Sequence, residues 1–371
     1  MSAHKTLIFH IGDHKTGSTS IQYAFAEGRI SLDRKTLLYP AELASNVLKR
    51  RFLAWDRAET ETEKQKAATP LQALADRIRA SEADYVVISA EEFERVPPKV
   101  FKQIVDLFFA DTADQIRVIA YVRPHAPRIV SSFCECTKIG APRALRQTIG
   151  EFAEMRRETG SFDYFPRFNL WRELYGDNFL LRPMIRSQLR AGSVVTDFIE
   201  HAFPDEPYTL RGDDDSNESL ELTDLMRLKV LQLNLMDKKP PLRHQIGWEY
   251  LRQVSQQPPG PDRQKLRMHR GLAKEIRDIY LEDARSIDRA FFDGQPLLEN
   301  ELHAAVRSGP RRAQSVDPAD YLSAAEIHSL RVMAGFLSNM LDMEDVNWTS
   351  FFHQTRVSLA VETRKANLAA V

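Results

Sequence analysis

The chain of 371 residues has only two cysteines, almost no net charge and no long apolar run. Each lack removes a class of protein. Cys134 and Cys136 lie two apart in a stretch that reads as helix, where side chains at that spacing point in different directions. Two free thiols in a reducing compartment are expected rather than a disulfide framework. Lys and Arg number 51 against 52 Asp and Glu. That balance leaves no global field to draw in nucleic acid or an anionic membrane, so any anion site must be local. No segment approaches the roughly 18–20 apolar residues that span a bilayer, and Leu7–Ile11 is too short for a signal-peptide core. A cytoplasmic location without a transmembrane segment is the expectation. The histidines, His125 among them, show no metal-ligand spacing, so no metal is expected. No internal repeat or low-complexity tract is found.

What is present is an alternation of strand and helix. Thr6–Ile11 is continuously apolar apart from His10 and reads as a buried parallel strand. Thr36–Tyr39, Tyr85–Ser89, Ile116–Val122 and Phe179–Arg182 are further strand candidates. Helical patterns follow the first strand from Ser18, fill Ala41–Ala83, start again at Pro97 and Pro98, and run from Pro124 to Lys138. The polar run Glu59–Lys66 suits a solvated helix or an excursion. Beyond Gly192 the patterns are almost only helical: Ser193–Ala202, Ser219–Met236, Gly247–Gln256, Leu272–Phe291 and Ala324–Met340. Asp213–Ser216 and Pro258–Pro261 read as loops. The fold class expected is α/β, a mostly parallel sheet flanked by helices in a P-loop NTPase-like arrangement, with a helical C-terminal portion. Residues 1–210 would form the core and 211–371 the helical portion packed on it.

Chemistry concentrates at Gly12-Asp-His-Lys-Thr-Gly-Ser-Thr19, between the first strand and its helix. Glycines five apart at such a junction permit a tight turn whose amides converge on an anion, and the helix dipole points at the same spot. The spacing matches the Walker A frame. Ser18 nevertheless stands at the Walker lysine position, and the lysine comes earlier, at Lys15. The strand Ile116–Val122 ends in Arg123 where a nucleotide triphosphatase would place a metal-binding carboxylate. A second cation at that point suits a ligand with an additional phosphate and weakens a metal-dependent reading.

These residues resemble the sulfotransferases that use 3′-phosphoadenosine 5′-phosphosulfate (PAPS). The segment His10–Gln22 is similar to that family's 5′-phosphosulfate loop. Arg123, Arg128, Ser131 and Phe133 match its 3′-phosphate motif, with Pro124 and His125 replacing the usual residues after the first arginine. Ser89-Ala-Glu-Glu-Phe93, Asp197 with Phe198, and Asn217-Glu-Ser-Leu220 resemble the bacterial branch. The likeness covers roughly residues 6–235.

The resemblance implies a PAPS donor and a 3′,5′-bisphosphate product. Gly12 and Thr16–Thr19 (Thr16, Gly17, Ser18, Thr19) would hold the 5′-phosphosulfate, the hydroxyls adding to the amides. Arg123 and Ser131 would hold the 3′-phosphate; Arg128 is either a second ligand or an exposed helix arginine. Lys15 would face the charge that develops on the leaving oxygen. Glu91, at the carboxyl end of a strand, is the candidate base, with His14 as rival; Glu91 and Glu92 could instead favour the positive end of the next helix. His10 and Trp171 read as core residues. The run Lys49-Arg50-Arg51 is a solvated helix face or an attractor for an anionic acceptor. Two other functions stay open: a small-molecule kinase using ATP and magnesium, and a non-catalytic degenerate P-loop module. The acceptor expected is a saccharide or other small hydroxylated molecule, with no nucleic acid as partner.

Overall fold

The computed structural model describes residues 4–212, 220–258 and 263–369. The expected loop Asp213–Ser216, most of Pro258–Pro261, and Asn217, Glu218 and Ser219 lie outside them.

β1 (Thr6–Gly12) leads through the glycine loop into α1 (Ser18–Ala26). β2 (Ile30–Leu32), β3 (Leu37–Leu38), α2 (Val47–Arg57) and α3 (Glu61–Ala80) come next. β4 (Tyr85–Ser89) follows, with a 3₁₀ turn at Glu91–Arg95, then α4 (Pro98–Phe108), β5 (Gln115–Val122) and α5 (His125–Lys138). After α6 (Ile149–Glu158) and α7 (Tyr164–Tyr175), β6 (Phe179–Pro183) completes the sheet. Its order is β3-β4-β1-β5-β6, and every pairing is parallel. The α/β reading of the sequence holds.

Side-chain alternation explains why this sheet is covered on both faces. Leu7, Phe9 and Ile11 of β1, Val86 and Ile88 of β4, and Val118, Ala120 and Val122 of β5 belong to one core cluster. Ile8, Val87, Ile119 and Tyr121 point the other way, into a second cluster with Phe25 of α1 and Phe198 of α8 (Val194–Ala202). A strand buried on both faces reads as a continuous apolar run, which is why β1, β4 and β5 are legible without their partners.

Four expectations need correction. The helical pattern over Ala41–Ala83 resolves into α2 and α3, the latter opened by a capping box in which Thr60 and Glu63 satisfy each other's amides. β7 (Tyr208–Leu210) pairs antiparallel with β2 in a separate two-stranded ribbon; strands of three residues carry too little periodicity to read. α9 (Leu222–Asn234) is followed by α10 (Pro240–Ser255), which begins at Pro240 rather than Gly247. Proline suits the first helical turn, and Gly247 sits mid-helix because a Cβ there would collide with the Lys138 carbonyl. Finally α12 (Leu297–Ser308) and α14 (Trp348–Ala369) join the expected α11 (Arg270–Phe291) and α13 (Ala324–Leu341). Leu272, Ile276, Tyr280, Leu298 and Leu302 from α11 and α12 enter the same core cluster as the sheet, so the helical portion and the α/β part share one core.

Candidate anion loop and cleft

β1 sits in the middle of the sheet, so the turn that ends it opens onto the crevice at the strands' carboxyl ends. The turn is drawn tight by glycines that nothing larger could replace. Gly12 has φ 67°, and a Cβ on it would lie 2.6 Å from the Glu91 Cα. Gly17, at φ 85°, caps α1, and a Cβ there would lie 2.7 Å from Val194 Cγ1. Lys15 occupies the left-handed region at φ 68°, which disfavours a side chain by about 1–2 kcal/mol. Two bonds hold the strained turn: Arg123 Nη1 donates to the Lys15 carbonyl at 3.0 Å, and Thr16 Oγ1 donates to the Asp13 carbonyl at 2.5 Å.

The start of α1 has the properties of an anion cradle. It has no side-chain cap and no acidic residue in its first turn. The amides of Gly17, Ser18 and Thr19 stand where no intrahelical acceptor exists. Ser18 is 2% exposed, and its Oγ is buried with no partner. A buried hydroxyl without a partner costs about 1–3 kcal/mol, so a ligand oxygen there would complete the site.

Charges around the loop divide into two groups. Asp13 is fully buried against Arg128 Nη2 and Arg167 Nη1, at 3.2 and 3.1 Å. Both arginines also reach Glu94 Oε1 at 3.2 Å. Burial pushes the Asp13 carboxyl up, and the guanidinium groups of Arg167 and Arg128 offset this only in part. Burial also acts to raise Glu94, but His14 and the two arginines outweigh it and hold that carboxyl well below its ordinary value. His14 completes this group. Its amide donates to Glu94 Oε2 at 3.0 Å, its Nδ1 meets the same oxygen, and its Nε2 lies 3.5 Å from Glu92 Oε1.

The second group reaches the cleft through Glu135. Lys15 Nζ donates to Glu135 Oε2 at 2.9 Å, and Lys138 lies 2.8 Å from the same oxygen. Burial would raise the Glu135 carboxyl, but Lys138 and Lys15 outweigh it and hold it below the usual carboxylate range. Burial, with Lys15 nearby, pulls Lys138 down to about 8 despite Glu135. Its ammonium rests 3.4 Å above the Trp248 ring. Glu135 lines a cleft of about 710 Å³ together with Thr19, Tyr23, Glu91, His244 and Arg356, and the Lys15 ammonium is tied to that wall through Glu135.

The residues expected at the site therefore separate. Gly12, Lys15, Gly17, Ser18, Thr19, Glu91 and Arg123 come together at the loop and cleft. The Glu91 carboxylate has no hydrogen bond or ion pair among the described residues. Arg123 is half-buried and has no carboxylate partner; burial first, and Arg128 second, lower its pKa. Ser131, half-buried in α5, likewise has no hydrogen-bond partner among the described residues.

Three assignments are corrected. Arg128 is not an exposed helix arginine: it is 4% exposed, and its guanidinium is engaged by Ser132 Oγ at 2.7 Å and by two carboxylates, which leaves little of it for a phosphate. The Thr16 hydroxyl is occupied by the loop's own carbonyl. His14 is disfavoured as the base. Burial lowers its pKa, but the hydrogen bonds its ring donates to the Glu92 and Glu94 carboxylates outweigh that and raise it to about 10, which favours the doubly protonated ring near neutrality. His10 is a core residue as expected: its Nδ1 shares a hydrogen bond with Ser89 Oγ at 2.8 Å, and burial lowers it to about 3. Trp171 is likewise buried, against Phe101 and Phe179.

The His14 arrangement makes a pH prediction. Its folded pKa lies above the unfolded value of 6.5, so its contribution to stability is complete below pH 6.5 and is lost as pH rises through about 10. The stability difference between wild type and His14→Gln, from urea unfolding, should shrink steadily across that window. A difference that grows with pH contradicts the imidazolium assignment.

Sequence reasoning missed Asp13, Glu94, Arg167 and Glu135. Asp13 bonds residues 115 and 154 positions away, and Lys15 meets Glu135 across 120; no local pattern marks such partners. Comparison with protein-family models, curated proteins and solved structures returned no match.

Proposed function

We propose that this chain is a sulfotransferase that moves a sulfuryl group from PAPS to a hydroxyl of a saccharide or other small acceptor. The observation that carries this is the buried, unpartnered Ser18 hydroxyl at an uncapped helix start, with Lys15 and Arg123 beside it instead of a Walker lysine and a metal-binding carboxylate. The donor, when bound, supplies the activated sulfuryl group.

The chain's residues have separable tasks. The amides of Gly17–Thr19 and the Ser18 hydroxyl would bind the 5′-phosphosulfate, as helix starts bind phosphates. Arg123 has donors left after its bond to the loop and no acid to neutralise it; with Ser131 it would bind the 3′-phosphate. Lys15 offers a fixed cation for charge on the leaving oxygen. Glu91 would accept the acceptor's hydroxyl proton on a carboxylate oxygen, and no hydrogen-bond or ion-pair partner competes for it.

Calorimetry tests this reading. Adenosine 3′,5′-bisphosphate should bind without metal. Arg123→Ala should weaken it by about ten- to a hundredfold, the range for a charge-assisted hydrogen-bond pair. Adenosine 5′-phosphosulfate, which lacks the 3′-phosphate, should lose much less. Magnesium-dependent ATP binding without bisphosphate binding would instead favour a kinase, and no nucleotide binding would favour a non-catalytic module.

A further inference from the structure

The cleft has a wall that the donor reading leaves unused. α14 lines it with His353, Arg356 and Val357, beside Glu91 and the start of α1.

Glu92 is held by Lys49 and His14, and Glu135 by Lys15 and Lys138. Burial lowers both His244 and His353, leaving them neutral near pH 7. Among the described residues that line the cleft, the charged side chains with no ion pair at contact distance are Arg50, Arg51 and Arg356 against Glu42 and Glu91. The balance is positive even with the candidate base counted.

Arg356 stands apart from the two rim arginines. Its Nη2 donates to Gln245 Oε1 at 2.6 Å, a neutral acceptor, while its Nε is shielded from solvent and has no acceptor at all. Burial pulls its guanidinium down from its ordinary value, and Tyr23 and Glu249, the latter already ion-paired with Arg252, offset this only in part. A half-buried cation held this way costs folding free energy until an anion completes it. A guanidinium also reads the planar fork of a carboxylate or phosphate.

Resting on the sulfotransferase reading of the loop and Glu91, we infer that the acceptor carries an oxyanion, bound by Arg356 from α14 with Arg50 and Arg51 at the rim. The C-terminal helix would then select the substrate as well as pack on the core.

The test uses the full chain saturated with adenosine 3′,5′-bisphosphate and matched probes measured by calorimetry. Methyl glucuronide against methyl glucoside tests a carboxylate; glucose 6-phosphate against glucose tests a phosphate. At least one charged probe should bind about tenfold or more tightly than its neutral counterpart. Arg356→Gln should bring that pair to within about threefold, and Arg356→Lys should keep part of the preference. Bisphosphate affinity should be the same in all three proteins. If Arg356→Gln shows no cooperative melting transition, Arg356→Lys carries the comparison. Charged probes that bind no better than neutral ones, or a preference that survives loss of the guanidinium, overturn the inference. A wild type that binds no bisphosphate removes the sulfotransferase reading, and this one with it, and is a distinct result.

Discussion

Lys15→Ala should lower the rate of sulfuryl transfer by about two to three orders of magnitude, the loss typical when one preorganised stabiliser of developing charge is removed. Lys15 belongs to the loop that ends β1, its carbonyl is pinned by Arg123, and its ammonium is fixed on Glu135 at the cleft wall. A cation already oriented needs little reorganisation when charge appears beside it. Stability should change little, because Glu135 keeps Lys138 at 2.8 Å when Lys15 is gone. Bisphosphate binding should fall by less than the rate does, since the product lacks the charge distribution of the transition state. The measurement is transfer of radiolabelled sulfuryl under single-turnover conditions, beside a thermal melt. Transfer retained within about threefold would remove Lys15 from the chemistry.

Arg128→Ala should do the reverse: a large loss of stability, about 3–5 kcal/mol, the range for breaking a buried ion pair from one side. Arg128 bonds Asp13, Glu94 and Ser132 from an interior position, and Asp13 has no solvent to turn to. Asp13 would then keep only Arg167 as a cationic partner, and Glu94 only Arg167 and His14. Because Asp13 lies inside the loop, disorder should spread to the anion cradle, and bisphosphate affinity should weaken as a consequence of unfolding rather than of a lost contact. Urea unfolding separates the cases. A phosphate ligand replaced by alanine would leave the midpoint nearly unchanged; a network arginine would shift it strongly. An unchanged midpoint would restore the phosphate role to Arg128.

These two residues mark the limit of sequence reading. Both lie in the segments that resemble a sulfotransferase, and both carry the right charge. Only the fold distinguishes them: Lys15 is 29% exposed at its side chain and is bonded to a residue of the cleft wall, whereas Arg128 is 5% exposed and faces two acids. His14 makes the same point. Its place in the loop suggests a base, but two carboxylates from the turn after β4 keep it protonated.

What the sequence determined is what short-range physics controls. Continuous apolar runs specified β1, β4 and β5 because a doubly covered strand needs no polar face. Gly12 and Gly17 specified the turn because only glycine tolerates those backbone angles and close approaches. Tertiary structure decided the partner of each charge. Asp13 with Arg167, Lys15 with Glu135 and Arg356 with Gln245 meet across 154, 120 and 111 positions. Folding decides which groups lose water together, and desolvation then decides which of them stay charged, paired or free for a ligand.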